Sequence, residues 1–181
     1  MTIRTVLKMG ERLLYQKALP EERFNTRELD QLIVDMMDTM EVLNGAGIAA
    51  PQIGESKRIV IFGVESNPRY PDADPVPFTV LINPEIEILT DDTVVDWEGC
   101  LSVPGLRGLV ERPTSIRYRG YDASGAAFER DATGFHARVV QHECDHLDGI
   151  LYPMRIQDPR DLVYEELLVN YTGNHDVIAD S

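Results

Sequence analysis

The segment His142-Glu143-Cys144-Asp145-His146 puts two imidazoles four residues apart, and on a helix that spacing stacks them on one face. Two neutral imidazoles so placed supply two ligands of a metal site. Glu143 follows the first of them directly and can reach a water on the ion, which suits a general base or acid rather than a third ligand. Chemistry on a carbonyl is the natural use. Cys144 lies two residues from each histidine and therefore projects roughly 160 to 200° away around the helix, so its role is packing.

Two kinds of candidate compete for the third ligand, a downstream glutamate and a cysteine, and they lead to different enzymes. Zinc endopeptidases carrying this motif take a glutamate from a downstream helix, and Glu165 and Glu166 lie 19 and 20 positions after His146. The other is Cys100 in Glu98-Gly-Cys-Leu-Ser-Val-Pro104, where a glycine frees the backbone and the thiolate is a soft, strong ligand. A Cys-His-His set would leave a fourth position to water.

These residues need elements to hold them. Helical periodicity over residues 26 to 43 gathers Leu29, Leu32, Ile33, Met36, Met37, Met40 and Leu43 on one stripe, with Asn25 or Thr26 as the cap. The methionines read as core. Asn44-Gly-Ala-Gly47 ends that helix, and Ile48 to Gly54 continues as an extended or turn segment. Strands are expected at Arg58–Val64, Thr79–Asn83, Glu85–Leu89, Thr93–Trp97, Ser115–Tyr121 and Ala127–Arg130, with a hairpin turn at Asp122–Gly125. Ser66 to Pro77, with four prolines, is expected to be a surface loop. A second helix, from Gly134 to Leu147, carries the histidines, and a third is expected from Pro159 to Asn170. The pattern predicts an α+β fold: one domain over residues 1–181, mainly antiparallel sheet packed around a central metal-binding helix, with an N-terminal and a C-terminal helix.

At 181 residues, 43% of them hydrophobic, the chain can bury a core, and no apolar run approaches the ~18 residues of a membrane span. Two cysteines are too few for a disulfide scaffold, and the N-terminus lacks an export signal, so a reducing cytoplasm is expected. A net charge of -14 opposes any broad grip on nucleic acid or anionic membrane.

Three stretches together, Gly45-Ala-Gly-Ile-Ala-Ala-Pro-Gln52, Glu98-Gly-Cys-Leu-Ser-Val-Pro104 and Gln141-His-Glu-Cys-Asp-His-Leu-Asp-Gly149, resemble the three signature motifs of peptide deformylase, in the family's order. The resemblance runs from the N-terminal region to about Ile156 and favours Cys100 over Glu166. It implies a metal held by Cys100, His142 and His146, with Glu143 exchanging protons with the water there. It also implies Fe2+ as the physiological ion, although this donor set equally suits Zn2+, Ni2+ or Co2+. Gln52, through its side-chain amide, and Leu101, through its backbone N–H, are implied as donors to the oxyanion.

The implied substrate is an N-formylmethionyl nascent peptide, which yields formate and a free amino terminus. Gly45 and Gly47 fit a loop whose bare backbone pairs with the extended substrate, and Arg107 occupies the family's place for a basic residue at the mouth. Val139 is expected to wall the methionine pocket. Arg138 departs from the apolar residue of many relatives, and its stem is expected to line the pocket while its head reaches water. Ala46 replaces a β-branched residue frequent in the family. Glu98 and Asp145 stand beside ligands and either orient the site or form salt bridges. The acidic region after Ile156 argues against carrying over ribosome docking, and His136 and His175 read as structural or surface histidines.

Overall fold

The histidine-bearing helix α2 (Gly134–Leu147) lies in the middle of the fold, with Ala137, Val139, Val140, Cys144 and Leu147 all buried. The computed structural model describes residues 2–64 and 74–170. Helix α2 stops at Gly149, whose left-handed φ of 74° lets Gly149 N–H bond the His146 carbonyl and Ile150 N–H bond that of Asp145. This closure satisfies the last carbonyls and fixes the end of the turn that carries His146.

Helix α1 (Arg27–Val42) begins at Thr26, whose side chain accepts from Leu29 N–H at 3.1 Å, while Glu28 and Asp30 complement the helix dipole. It buries Leu29, Leu32, Ile33, Met36 and Met40 against Ile48, Ile59 and Ile61. Each such side chain is worth roughly 1.5–3 kcal/mol relative to exposure. Met37, expected on the buried stripe, is instead 38% exposed.

The strands are β1 (Gly47–Ala49), β2 (Ile59–Val64), β3 (Val76–Ile88), β4 (Thr93–Cys100), β5 (Val103–Pro113), β6 (Ser115–Tyr121), β7 (Ala127–Thr133) and β8 (Leu162–Tyr164). They form a five-stranded sheet in the order β1-β2-β3-β6-β7 and a three-stranded sheet β4-β5-β8, every pairing antiparallel. Helix α2 packs against both. Phe62, Leu81, Ile116 and Tyr118 of the larger sheet close over Val140 and Leu147, while Cys100, Val103 and Val110 of the smaller one pack with Leu14, Leu151 and Tyr152. The mixed, mainly antiparallel α+β architecture is as the sequence predicts.

Several boundaries differ for physical reasons. The two strands expected within residues 79–89 are one strand, irregular between Ile82 and Glu85, where Pro84 cannot donate to β6. Strand β5 carries Pro104, Gly105 and Gly108, which break the alternation by which a strand is read, and it went unpredicted. The expected C-terminal helix is not one element: short 3-10 turns at Pro159–Asp161 and Glu165–Asn170 flank β8. There, pairing of Leu162, Val163 and Tyr164 with Gly108, Arg107 and Leu106 prevails over local helical preference. The expected Ser66–Pro77 loop lies largely outside the described residues, and Val76 and Pro77 already belong to β3. No helix among the described residues is long and apolar enough to cross a membrane.

Candidate active site

Cys100 is the last residue of β4, and the two-residue turn Leu101-Ser102 leads from it into β5. That turn brings the thiol to the histidine face of α2. One donor atom from each of Cys100, His142 and His146 lies within 4.8 Å of the other two, and Cys100 Sγ is 3.3 Å from His146 Nε2. The two imidazoles stand nearly perpendicular, at 76°, as the i, i+4 spacing permits. Glu166 is exposed, and no carboxylate joins this group among the described residues.

Glu98 fixes the first imidazole. Its Oε2 accepts from His142 Nδ1 at 2.8 Å, which leaves Nε2 as the lone-pair nitrogen. Arg112 holds Glu98 in turn, donating from Nε at 2.8 Å and Nη2 at 2.9 Å to its two oxygens, and donates from Nη1 to Asp145 at 2.6 Å. Burial opposes the Glu98 anion, yet the hydrogen bonds from Arg112 and His142 outweigh it and hold the carboxyl below its usual range. Glu98 and Asp145 thus both pair with arginines, and Glu98 also holds the His142 ring by a hydrogen bond.

The thiol is prepared in the same way. Burial opposes a charged Cys100, but the neighbouring imidazoles, through the charge and N–H they present when protonated, carry its pKa well below the ordinary thiol value. Ser102 N–H and Gln52 Nε2–H also donate to the sulfur, each at 3.4 Å. A buried thiolate facing two imidazoles is the donor set of a divalent transition metal, so these residues fit such an ion.

Glu143 is buried on the same helix, and among the described residues its Oε2 has no hydrogen-bond partner. Burial pushes its carboxyl up to about 7, a value suited to exchanging a proton near neutrality. Its neighbour across the site is β1: a Cβ on Gly47 would stand 2.5 Å from Glu143 Oε1, so only glycine lets this strand lie against the carboxylate.

A cavity opens onto these groups, lined by Gly45, Ala46, Gly47, Gln52, Leu101, Val139, His142 and Glu143, and also by Trp97, Phe135 and Arg138. The expected Arg138 geometry is corrected. Its two Nη groups are taken up by protein acceptors rather than water: Nη1 bonds Glu98 Oε1 and the Val110 carbonyl, and Nη2 the Val94 carbonyl. Arg107 does not line the cavity: its Nε and Nη2 both bond Glu165 Oε1, at 2.9 and 2.7 Å.

The sequence profile described as polypeptide deformylase matches residues 3–161. The chain belongs to the polypeptide deformylase family. Over 166 residues it is 63% identical to peptide deformylase 1 of Nitrosomonas europaea and 61% identical to peptide deformylase 2 of Ralstonia nicotianae, covering 92% of this chain and 94% of each relative. The class I type b peptide deformylase of Acinetobacter baumannii, solved with Met-Ala-Ser bound, superposes with a TM-score of 0.83 at 43% identity, over 86% of this chain and 99% of that one. A deformylase is a metal-dependent hydrolase, and the Cys-His-His cluster is where this one can hold its ion.

Sequence reasoning missed Ser102, Arg112, Trp97 and Phe135. Ser102 stood within a quoted motif, two residues from Cys100, and that proximity was the available signal. Arg112 gave none, since only the β4–β5 pairing carries it under Glu98.

Proposed function

We propose that the chain hydrolyses the N-formyl amide of formylmethionyl nascent peptides, releasing formate, through Cys100, His142 and His146 as metal ligands and Glu143 as general base and acid. The observation that carries this reading is that Cys100 and His142 of the Cys-His-His cluster, the Glu143 carboxylate and the Gln52 amide line one cavity, with His146 buried beside them. An ion held there supplies Lewis acidity toward the formyl oxygen and lowers the pKa of water. Fe2+ is our proposed physiological ion, with Zn2+, Ni2+ and Co2+ compatible with the same donors.

The remaining work falls to side chains and backbone. Among the described residues strand β1 pairs only with β2, so its other edge, reached through Gly45 and Gly47, is available to an extended peptide. As water adds to the formyl carbon, Glu143 Oε2 takes its proton, and Gln52 Nε2–H and Leu101 N–H donate to the oxygen that becomes negative. Breaking the C–N bond needs a proton on nitrogen, which Glu143 returns. Val139 and Arg138 line the side of the cavity proposed for the methionine side chain. Arg107 acts at one remove, tying Glu165 to β5. We place this activity in the cytoplasm, and the charge of -14 argues against a nucleic-acid partner.

Incubating metal-loaded protein with formyl-Met-Ala-Ser and with casein tests the reading. Formate from the first and no cuts in the second are expected. Internal cuts in casein without formate would instead make the chain an endopeptidase.

A further inference from the structure

Arg138 stands one helical turn before His142 and lines the cavity, yet it is 7% exposed and anchored from behind. Nη1 donates to Glu98 Oε1 at 2.8 Å and to the Val110 carbonyl at 2.9 Å, and Nη2 to the Val94 carbonyl at 2.7 Å. These bonds account for the head of the guanidinium. They leave Nε–H, which among the described residues has no acceptor and is not one of the unpartnered atoms sealed from the surface. The neighbouring wall is apolar, formed by Ala46, Leu101, Phe135 and Val139.

We infer that this cavity takes methionine sulfoxide as well as methionine, with Arg138 Nε–H donating to the sulfoxide oxygen, so that oxidised formylmethionyl peptides are a second substrate class. The inference rests on the deformylase reading above. A thioether is a weak acceptor and enters an apolar cavity at little loss, whereas a sulfoxide gives up strong hydrogen bonds to water. A charged donor inside the wall restores one of them, and a guanidinium already fixed by three bonds needs no reordering to do so. The reaction is otherwise the same: water adds to the formyl carbon, the C–N bond breaks, and the sulfur keeps its oxygen.

The test uses metal-loaded protein and three peptides: formyl-Met-Ala-Ser, its sulfoxide (each epimer separately), and formyl-norleucyl-Ala-Ser as an apolar isostere. In the wild type, kcat/KM for at least one sulfoxide epimer should lie within about tenfold of that for formyl-Met-Ala-Ser. In Arg138→Met the sulfoxide-to-methionine ratio should fall by a further factor of about ten or more, while the norleucine-to-methionine ratio holds. Because ratios are read, a change in absolute rate does not obscure the result. Should Arg138→Met fail to fold, competition between Met-Ala-Ser and Met(O)-Ala-Ser for the wild type, followed by NMR titration, decides by the same tenfold criterion. Turnover of formyl-Met-Ala-Ser with both sulfoxides rejected beyond tenfold, or an unchanged ratio in the variant, overturns the sulfoxide inference alone. No turnover of formyl-Met-Ala-Ser overturns the deformylase reading and this inference with it.

Discussion

The Gln52 amide is clamped from both ends: its Oε1 accepts from Ala49 N–H at 2.8 Å and its Nε2 donates to the Ser102 hydroxyl at 3.1 Å. Ser102 is wholly buried, and its own N–H donates to Cys100 Sγ. One small residue thus ties the amide donor to the thiolate turn. Ser102→Ala should keep fold and metal, lower kcat by roughly 3- to 30-fold and leave KM nearly unchanged, because only the aim of the donor is lost. Ser102→Thr should recover part of it. Equal losses in kcat for both variants would show that packing, not the hydroxyl, matters at this position.

Glu143→Gln should retain metal while turnover falls by on the order of 10²-fold or more, since the amide keeps the shape but cannot shuttle a proton. Formate release measured beside metal content checks this. Near-normal turnover would remove Glu143 from its proton-transfer role.

Cys100→Ala should emerge without tightly bound metal, and Glu166→Ala with its metal intact, as atomic absorption on the two proteins will show. Thiol chemistry gives an independent reading. Stripped of metal, the wild type should be alkylated by iodoacetamide at Cys100, whose thiolate is favoured, and metal should protect it. Cys144 should stay silent in the native protein: burial and the nearby Glu143 and Asp145 push its thiol above the ordinary value.

Arg112→Met removes the bidentate partner of a buried carboxylate and should destabilise the fold by about 3–5 kcal/mol in urea unfolding. His142 should also bind metal more weakly, because Glu98 loses the partner that keeps it in place. A loss below about 1 kcal/mol, the scale of an exposed ion pair, would contradict this account of the network.

If the ion is ferrous, protein purified anaerobically with iron should be fast and should decay in air, while a zinc-exchanged sample should be slower and stable. Formate release before and after aeration, with Cys100 oxidation followed by mass spectrometry, makes the comparison. Equal rates and equal air stability would set the iron proposal aside without touching the ligand set.

The sequence was most legible where function and local structure coincide. Helix α2 runs over its expected residues because its histidine spacing, apolar positions and closing Gly149 all agree. It was least legible where partners come from distant strands. Nothing local shows that the Arg138 head meets the Val94 and Val110 carbonyls, or that Leu162–Tyr164 becomes a strand, since both depend on the pairing of β5 with its neighbours. Arg107 is expected at the mouth only from the family resemblance, and nothing local shows that the β5–β8 pairing brings Glu165 to it.

Cys100 belongs to the smaller sheet and His142 and His146 to the central helix, 42 and 46 residues further along the chain. An ion gripped by all three is consequently a rivet between two layers, closing a long loop that the unfolded chain must otherwise close unaided. Thermal resistance then varies with the free concentration of the ion, rising by RT ln(1 + [L]/Kd) as any ligand exclusive to the native state requires. Scarcity of metal would soften this protein as well as silence it, and the chain would meet cellular proteases as a more open target.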